Sequence, residues 1–411
     1  MKNHVLIVGG GASGMMAAIS AARAGAQVSM IEHNDRVGKK ILSTGNGKCN
    51  YTNLTQSEDC YRSNNLHFPW RAIELFDATK TVEFFEELGI MAKNKNNYLY
   101  PYSEQASSVL DVLRMEVERL KVQVVTEVHI DEISKIKNGF RLLGHEKDKK
   151  KFEIKGDKVI LATGSKAASK LGADGSGYKL AQKLGHRIVT VVPALVQLKC
   201  EEKFYPSLAG VRMHGKVSVM INDRCISDTG EIQLTAYGIS GIPVFQISRY
   251  VAGELTRKKS VNLVLDLMPE MTYKSLRHKL RNRMKQHPER TMDNFFTGVF
   301  NKKVSNVLLK ISGISLNKKC GDLDEKEIDS LCQLIKTFNT KAVGTNPFEQ
   351  AQICAGGIDT KEINNQTMES RLVKGLYFAG EVMDVDGLCG GYNLQWAWTS
   401  GYLAGKEAAN A

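Results

Sequence analysis

The first apolar run of the chain, residues 5–8, is short and β-branched, the pattern of a buried parallel strand. It runs into Gly9, Gly11 and Gly14, spaced as GxGxxG, and there the period changes. Met15, Ala18, Ile19 and Ala22 recur at helical spacing, Gly25 stops the helix, and Gln27–Ile31 reads as a second strand with Glu32 at its tip. Helical patterns follow near 71–89 and 104–120. Residues 122–125, 132–136, 140–143 and 152–154 then alternate like a small antiparallel meander. Another buried strand, 158–161, ends in the turn Ala162, Thr163, Gly164, and a helix is predicted from the glycine-rich stretch 172–178 to Gly185. From about 192 the texture shifts to short alternating strands (216–221, 231–234, 260–265) that predict a β-barrel or sandwich. Residues 269–340 turn helical and basic. The α/β texture resumes at Gly356, with a strand and glycine turn at 375–380 and a helix at 394–408.

These periods predict an α/β fold in which a Rossmann-like dinucleotide domain, 1–193 and 342–411, is split by an inserted β-barrel, 194–268, and a small helical subdomain, 269–341. Each part of the opening motif suits a dinucleotide. Gly9 permits the tight turn, Gly11 lets backbone approach a pyrophosphate, and Gly14 lets helix pack on strand. The free N–H groups of the helix start hold phosphate, and Glu32 can accept from both ribose hydroxyls. Three later features favour FAD over NAD: the meander followed by the 158–164 strand and turn; the strand 376–378, which delivers Gly380 and an acid, Glu381 or Asp384, toward a ribityl chain; and Gly390, Gly391 and Tyr392 opening the last helix, whose N-terminus can stabilise charge on a reduced flavin.

Composition narrows the class. With 411 residues, two or three domains are expected, and 42% hydrophobic with 24% charged residues is ordinary for a soluble globular protein. No apolar stretch reaches the ~18 residues of a membrane span. The N-terminal apolar run reads as a strand, not a secretory signal, which makes the cytoplasm the expected location. The eight cysteines are scattered without a CxxC pair, so neither a zinc site nor a disulfide framework is expected. No His spacing suggests a metal either. The net charge of +12 sits largely in local runs, at 147–151 and on a helix at 277–285, which read as solvated faces.

Four stretches resemble the BaiN/YhiN-like FAD-dependent oxidoreductases: GKKILSTGNGKCNYTN (38–53), DTGEIQLTAYGISGIPVFQISR (228–249), the ATG at 162–164, and MESRLVKGLYFAGEVMDVDGLCGGYNLQWAWTSGYLAG (368–405). By position the resemblance implies that Gly9, Gly11, Ala12, Ser13, Gly14 and Glu32 hold the ADP half of FAD and that Val128 contacts adenine through its backbone. Lys40, Asn46, Gly47, Cys49 and Asn50 would line the flavin side; Glu381, Asp384, Gly391, Tyr392, Asn393 and Leu394 would hold the ribityl chain and ring. Two positions depart from the pattern. Lys48 stands where an Arg is usual and lacks its bidentate fork, and Ala236 stands where many members carry a His, so no acid/base role can be placed there.

Ene-reduction needs a hydride from flavin N5, a proton for the neighbouring carbon, and donors to polarise a conjugated carbonyl. Tyr392, Tyr237 and Cys49 are the candidate proton donors, and Lys48 could polarise an oxygen. No second strand-led GxGxxG occurs, so NADH or NADPH would dock between the FAD domain and the insert. The leading expectation is NAD(P)H-driven reduction of an activated C=C bond in an apolar, ring-containing or carboxylated small molecule, with steroid-like or bile-acid-like enones implied by the resemblance. Alternatives are a flavin oxidase or dehydrogenase of a small amine or hydroxy compound, a flavin-containing RNA-modifying or RNA-binding protein gripping phosphate through 277–290, and a flavin redox sensor. No aromatic residue interleaves that basic helix between Tyr273 and Phe295, so nucleic acid is not the expected partner.

Overall fold

The computed structural model describes residues 3–410, which form two compact units: 3–192 with 348–410, and 193–347. In the first unit the strand His4–Val8 lies at the centre of a five-stranded parallel sheet. Lys158–Leu161 and then Leu376–Phe378 flank it on one side, Gln27–Ile31 and then Gln123–Val125 on the other. Central strands of this kind are buried on both faces, and Val5, Leu6 and Ile7 are fully buried. Residues 122–125, read above as part of the meander, therefore belong to the parallel sheet. The helix Ala106–Arg119 returns the chain to the sheet edge, and Met30 pairs with Val124. The meander proper is Val128–Ile136, Gly139–Glu146 and Lys151–Gly156, and residues 147–150 form its second turn.

The first helix, Ala12–Arg23, packs along the last, Tyr392–Asn410, more closely than ordinary side chains allow. A Cβ on Gly401 would lie 2.5 Å from the Ser13 carbonyl oxygen, and one on Gly405 would collide with the Ala17 carbonyl. Two glycines four residues apart share a helix face, so this spacing lets the backbones touch. The start of the chain and its end are thereby joined in one core.

In the second unit a closed barrel runs, in order of pairing, Leu198–Cys200, Gly238–Ser240, Arg224–Thr235, Arg212–Ile221, Val261–Asp266 and Phe338–Thr345. Val217, Val219, Ile232, Leu263 and Leu265 alternate inward, and the helix Ile242–Leu255 adds Val244, Ile247 and Val251 to the same core. The helices Tyr273–Gln286, Lys302–Ile311 and Glu325–Lys336 lie between the last two strands in sequence. The boundary expected at 341/342 falls inside the final barrel strand.

Candidate functional site

Val8, Ile31, Leu161 and Phe378 sit at the carboxyl ends of adjacent parallel strands, and the loop after each carries a residue singled out from the sequence. The chain leaves the central strand toward one sheet edge and later returns on the other side, so the crevice above Gly9 is a topological switch point. Gly9, at φ +104°, makes the turn; a Cβ there would meet the Ala162 carbonyl. Gly14 lies flat on Gly9. Gly11 differs from both, because nothing lies within 4 Å of where its Cβ would be. No side chain caps the helix that begins at Ala12, and free first-turn N–H groups at a helix start are the kind of site that holds a phosphate.

Glu32 is buried, accepting from the Gly10 N–H (2.7 Å) through one carboxylate oxygen and from the Asn34 N–H (2.9 Å) and side-chain amide (2.7 Å) through the other. Those bonds fix the carboxylate at the end of the second strand. The Val128 N–H donates to the Glu32 carbonyl (3.1 Å), which brings the meander to the same corner. Ser13 donates to the Ala379 carbonyl (3.3 Å), and a Cβ on Gly380 would run into Ser13, so the 380 loop abuts the start of the first helix.

On the other side, Gly45, Asn46, Gly47 and Cys49 all have positive φ (54° to 83°). Left-handed backbone costs a cysteine of order 1 kcal/mol, and such strain concentrates at binding loops. Beside this loop, Lys40 pairs with Glu381 at 2.8 Å, and Ser165 donates to the same carboxylate oxygen at 3.1 Å. Asp384 is buried and accepts from the Asn64 N–H at 2.9 Å. Asn50 is buried next to Gly391, and Asn393 accepts from the Gly387 N–H while donating to the Gly387 and Leu388 carbonyls, which locks the 387–393 loop. Leu394 follows, half-buried, in the first turn of the last helix.

Buried polar atoms in this region without a hydrogen-bond partner include Asn50 Oδ1, Thr163 Oγ1 and the Tyr178 hydroxyl. Leaving such groups unmade costs about 1–3 kcal/mol each, so a polar ligand is expected to meet them. Together with the open face of Gly11 and the buried carboxylate of Glu32, they fit FAD. Tyr178 was not among the residues read from the sequence. Its only signal was that the 172–178 glycine stretch ends in a tyrosine.

The four candidate catalytic residues fare differently. The Tyr392 hydroxyl donates to the Thr55 carbonyl at 2.9 Å, and burial raises its pKa, so its proton is committed to structure. Lys48 pairs with Glu104 at 3.1 Å. Tyr237, in the second unit, accepts from the Asn346 amide at 3.1 Å. Cys49 is wholly buried, and burial pushes its thiol up to about 12. At pH 8 only ~1 in 10⁴ of its molecules would be thiolate. Iodoacetamide at that pH should therefore label exposed Cys225 and spare Cys49 until the protein is denatured. Peptide mass spectrometry reads this directly, and native labelling of Cys49 would contradict its placement.

The family model of the HI0933-like protein Rossmann domain matches residues 3–407. The chain belongs to the HI0933-like family. It is 44% identical over 410 residues to the 3-dehydro-bile acid delta(4,6)-reductase of Clostridium scindens, spanning 99% of both chains. It is also 29% identical over 403 residues to the ribosomal RNA dihydrouridine synthase of Escherichia coli, spanning 98% of this chain and 97% of that one. Among solved structures, the open conformation of a flavocytochrome c3 fumarate reductase aligns with 99% of this chain and 78% of its own at a TM-score of 0.51 and 15% identity, a likeness of fold. The HI0933-like chain is an FAD-dependent oxidoreductase. Among its described residues no helix is long and apolar enough to cross a membrane, and no group of three His, Cys, Asp or Glu side chains is arranged to hold a metal ion.

Proposed function

We propose that this protein uses NADH or NADPH to reduce a C=C bond conjugated to a carbonyl in a small, ring-containing substrate, a steroid-like enone. The observation that carries this is end-to-end identity of 44% with a 3-dehydro-bile acid delta(4,6)-reductase. The more distant rRNA dihydrouridine synthase supports the same bond type, because a uracil ring also places its reducible C=C next to a carbonyl. FAD, when bound, supplies the hydride. Gly11, Glu32 and the first-turn amides would hold its ADP half, while Asn50, Thr163 and the Lys40–Glu381 pair would hold and orient its flavin half. The 45–50 loop and the 387–393 loop would line the flavin half. Of the candidate proton donors, Tyr392 spends its hydroxyl on the Thr55 carbonyl and Cys49 is buried, and we assign the proton to Tyr237.

An RNA substrate is the less favoured reading, for a reason found in the helix Tyr273–Gln286. Its arginines are spent inside the subdomain: Arg277 on Asp329 and Glu325, Arg281 on Glu325, and Arg283 on the Phe295 and Thr297 carbonyls. A phosphate grip needs those guanidinium groups turned outward.

Anaerobic mixing with NADH or NADPH should bleach the flavin, and adding a 4-en-3-one or 4,6-dien-3-one should restore its colour with saturation of one C=C bond per flavin reoxidised, giving the saturated ketone from the enone and a mono-enone from the dienone. A flavin that neither nucleotide bleaches would end the reductase proposal and turn attention to amines and hydroxy acids as electron donors.

A further inference from the structure

Beside the flavin-side loop stands a β-hairpin, Ala92–Lys95 with Tyr98–Pro101. Its second strand pairs with Thr52 and Asn53, the residues that leave the loop. The Tyr98 ring packs where a Gly390 side chain would be, and the Tyr100 ring lies 3.7 Å from where a Cβ on Gly45 would sit. The hairpin thus touches both loops assigned above to the flavin half.

Three ammonium groups converge on one carboxylate here. Lys48 approaches Glu104 at 3.1 Å and Lys95 at 2.8 Å, and Lys93 shares the oxygen that Lys95 uses. Lys93 and Lys95 also lie over the rings of Tyr102 and Tyr100, 5.3 and 5.6 Å from their centroids. Each lysine remains a third to a half exposed. The lysines hold the Glu104 carboxyl far below the usual carboxylate range, with Lys93 the largest influence, so it stays charged. Three cations and one anion leave two positive charges over at the rim. Exposed ion pairs contribute little to stability, and three like charges around one carboxylate repel one another. A second anion arriving from solution relieves that repulsion, and the exposed faces of Tyr98 and Tyr102 offer apolar surface beside it.

We propose that Lys48, Lys93 and Lys95, organised by Glu104, form an anion subsite at the edge of the flavin loop that receives the carboxylate of an acid-bearing substrate. The assignment of the anion to the substrate rests on the reductase function proposed above. The subsite sets specificity: it selects acids over their neutral analogues without touching the reacting atoms.

The test uses the FAD-loaded protein and two probes, a steroid enone with a free side-chain carboxylate and its methyl ester. The quantity read is the ratio of kcat/KM for acid over ester. In the double variant K93M/K95M the ratio should fall about tenfold. Glu104→Gln, which deletes the competing carboxylate, should raise it severalfold, a change of opposite sign that loss of folding cannot mimic. Ratios unchanged in both variants would overturn the subsite. A change confined to KM for NADPH over NADH would overturn the substrate assignment, placing a nucleotide phosphate there instead. Should no enone be reduced by any form, calorimetric titration with the saturated carboxylic acid decides separately. Binding that weakens about tenfold in K93M/K95M keeps the subsite although the reductase reading has failed, and equal binding removes it.

Discussion

Gly14→Ala is expected to give a protein that melts early and retains no flavin, whereas Gly11→Ala gives one that melts normally when empty but holds FAD at least about tenfold more weakly. The two glycines are three residues apart in one motif and meet different surroundings. A Cβ on Gly14 would collide with the Gly9 carbonyl oxygen and lie 3.0 Å from the carbonyl carbon, both backbone atoms that cannot swing aside. The helix would have to lift off the turn, and overpacking of this kind costs roughly 1–3 kcal/mol or more. At Gly11 no neighbouring atom lies within 4 Å of where a Cβ would sit, and φ −78° suits any residue. The only intrinsic cost is a poorer helix cap, under about 1 kcal/mol. Any larger loss must come from the ligand that occupies the open space. Thermal melts of the apo forms and FAD titration by flavin fluorescence separate the two terms. Equal melting of both apo variants would remove Gly14's packing role, and unchanged FAD affinity in Gly11→Ala would place the diphosphate elsewhere.

That contrast marks how far the sequence could be read. The strand, turn and helix of residues 4–31 carry their own local signals, and His4–Val8 pairs directly with Gln27–Ile31, so local pattern identified them and the structure agrees. Residues 122–125 have the same valine-rich alternation as the meander that follows. What assigns them to the parallel sheet is pairing with Ser29, Met30 and Ile31, almost a hundred residues earlier, which periodicity does not encode. The candidate site divides in the same way. Glycines and acids at strand ends were legible because their roles follow from the turn itself. Side-chain partnerships were not: Lys40 finds Glu381, Lys48 finds Glu104, and Tyr392 spends its hydroxyl on Thr55, each across a separation no local pattern reports. Tyr392 was a candidate proton donor by its neighbours in sequence, and the Thr55 carbonyl withdraws it from that role. The barrel strand Phe338–Thr345 was cut at 341 because its partners, Val261–Asp266 and Leu198–Cys200, lie far back along the chain.

Gly405→Val should be the most damaging single change far from the flavin loops, and its sign can be set against a control of the same type. Residue 405 lies deep in the last helix, where glycine is by intrinsic propensity ~1 kcal/mol worse than alanine. Propensity alone therefore predicts that filling this position stabilises. Packing predicts the reverse: a Cβ here would meet the Ala17 carbonyl, with the carbonyl carbon and Cα of Ala17 both at 2.9 Å, and valine adds two more methyls. Ala17, Ala21, Ala404 and Ala408 are all buried, so the two helices are held in contact and neither can retreat without opening the core. A loss of about 3 kcal/mol or more is expected, lowering the melting temperature by roughly 2 °C per kcal/mol for a unit of this size. Because the first helix begins at the diphosphate cradle, flavin content should fall with it. FAD at a hundred times its dissociation constant could restore at most about 2.7 kcal/mol. Gly253, within the helix Ile242–Leu255, has nothing within 4 Å of its Cβ position, so Gly253→Ala should stabilise by up to about 1 kcal/mol. Differential scanning calorimetry of both variants decides the matter: opposite shifts follow from a first and last helix in backbone contact, whereas two upward shifts would mean that the contact is absent and propensity governs both sites.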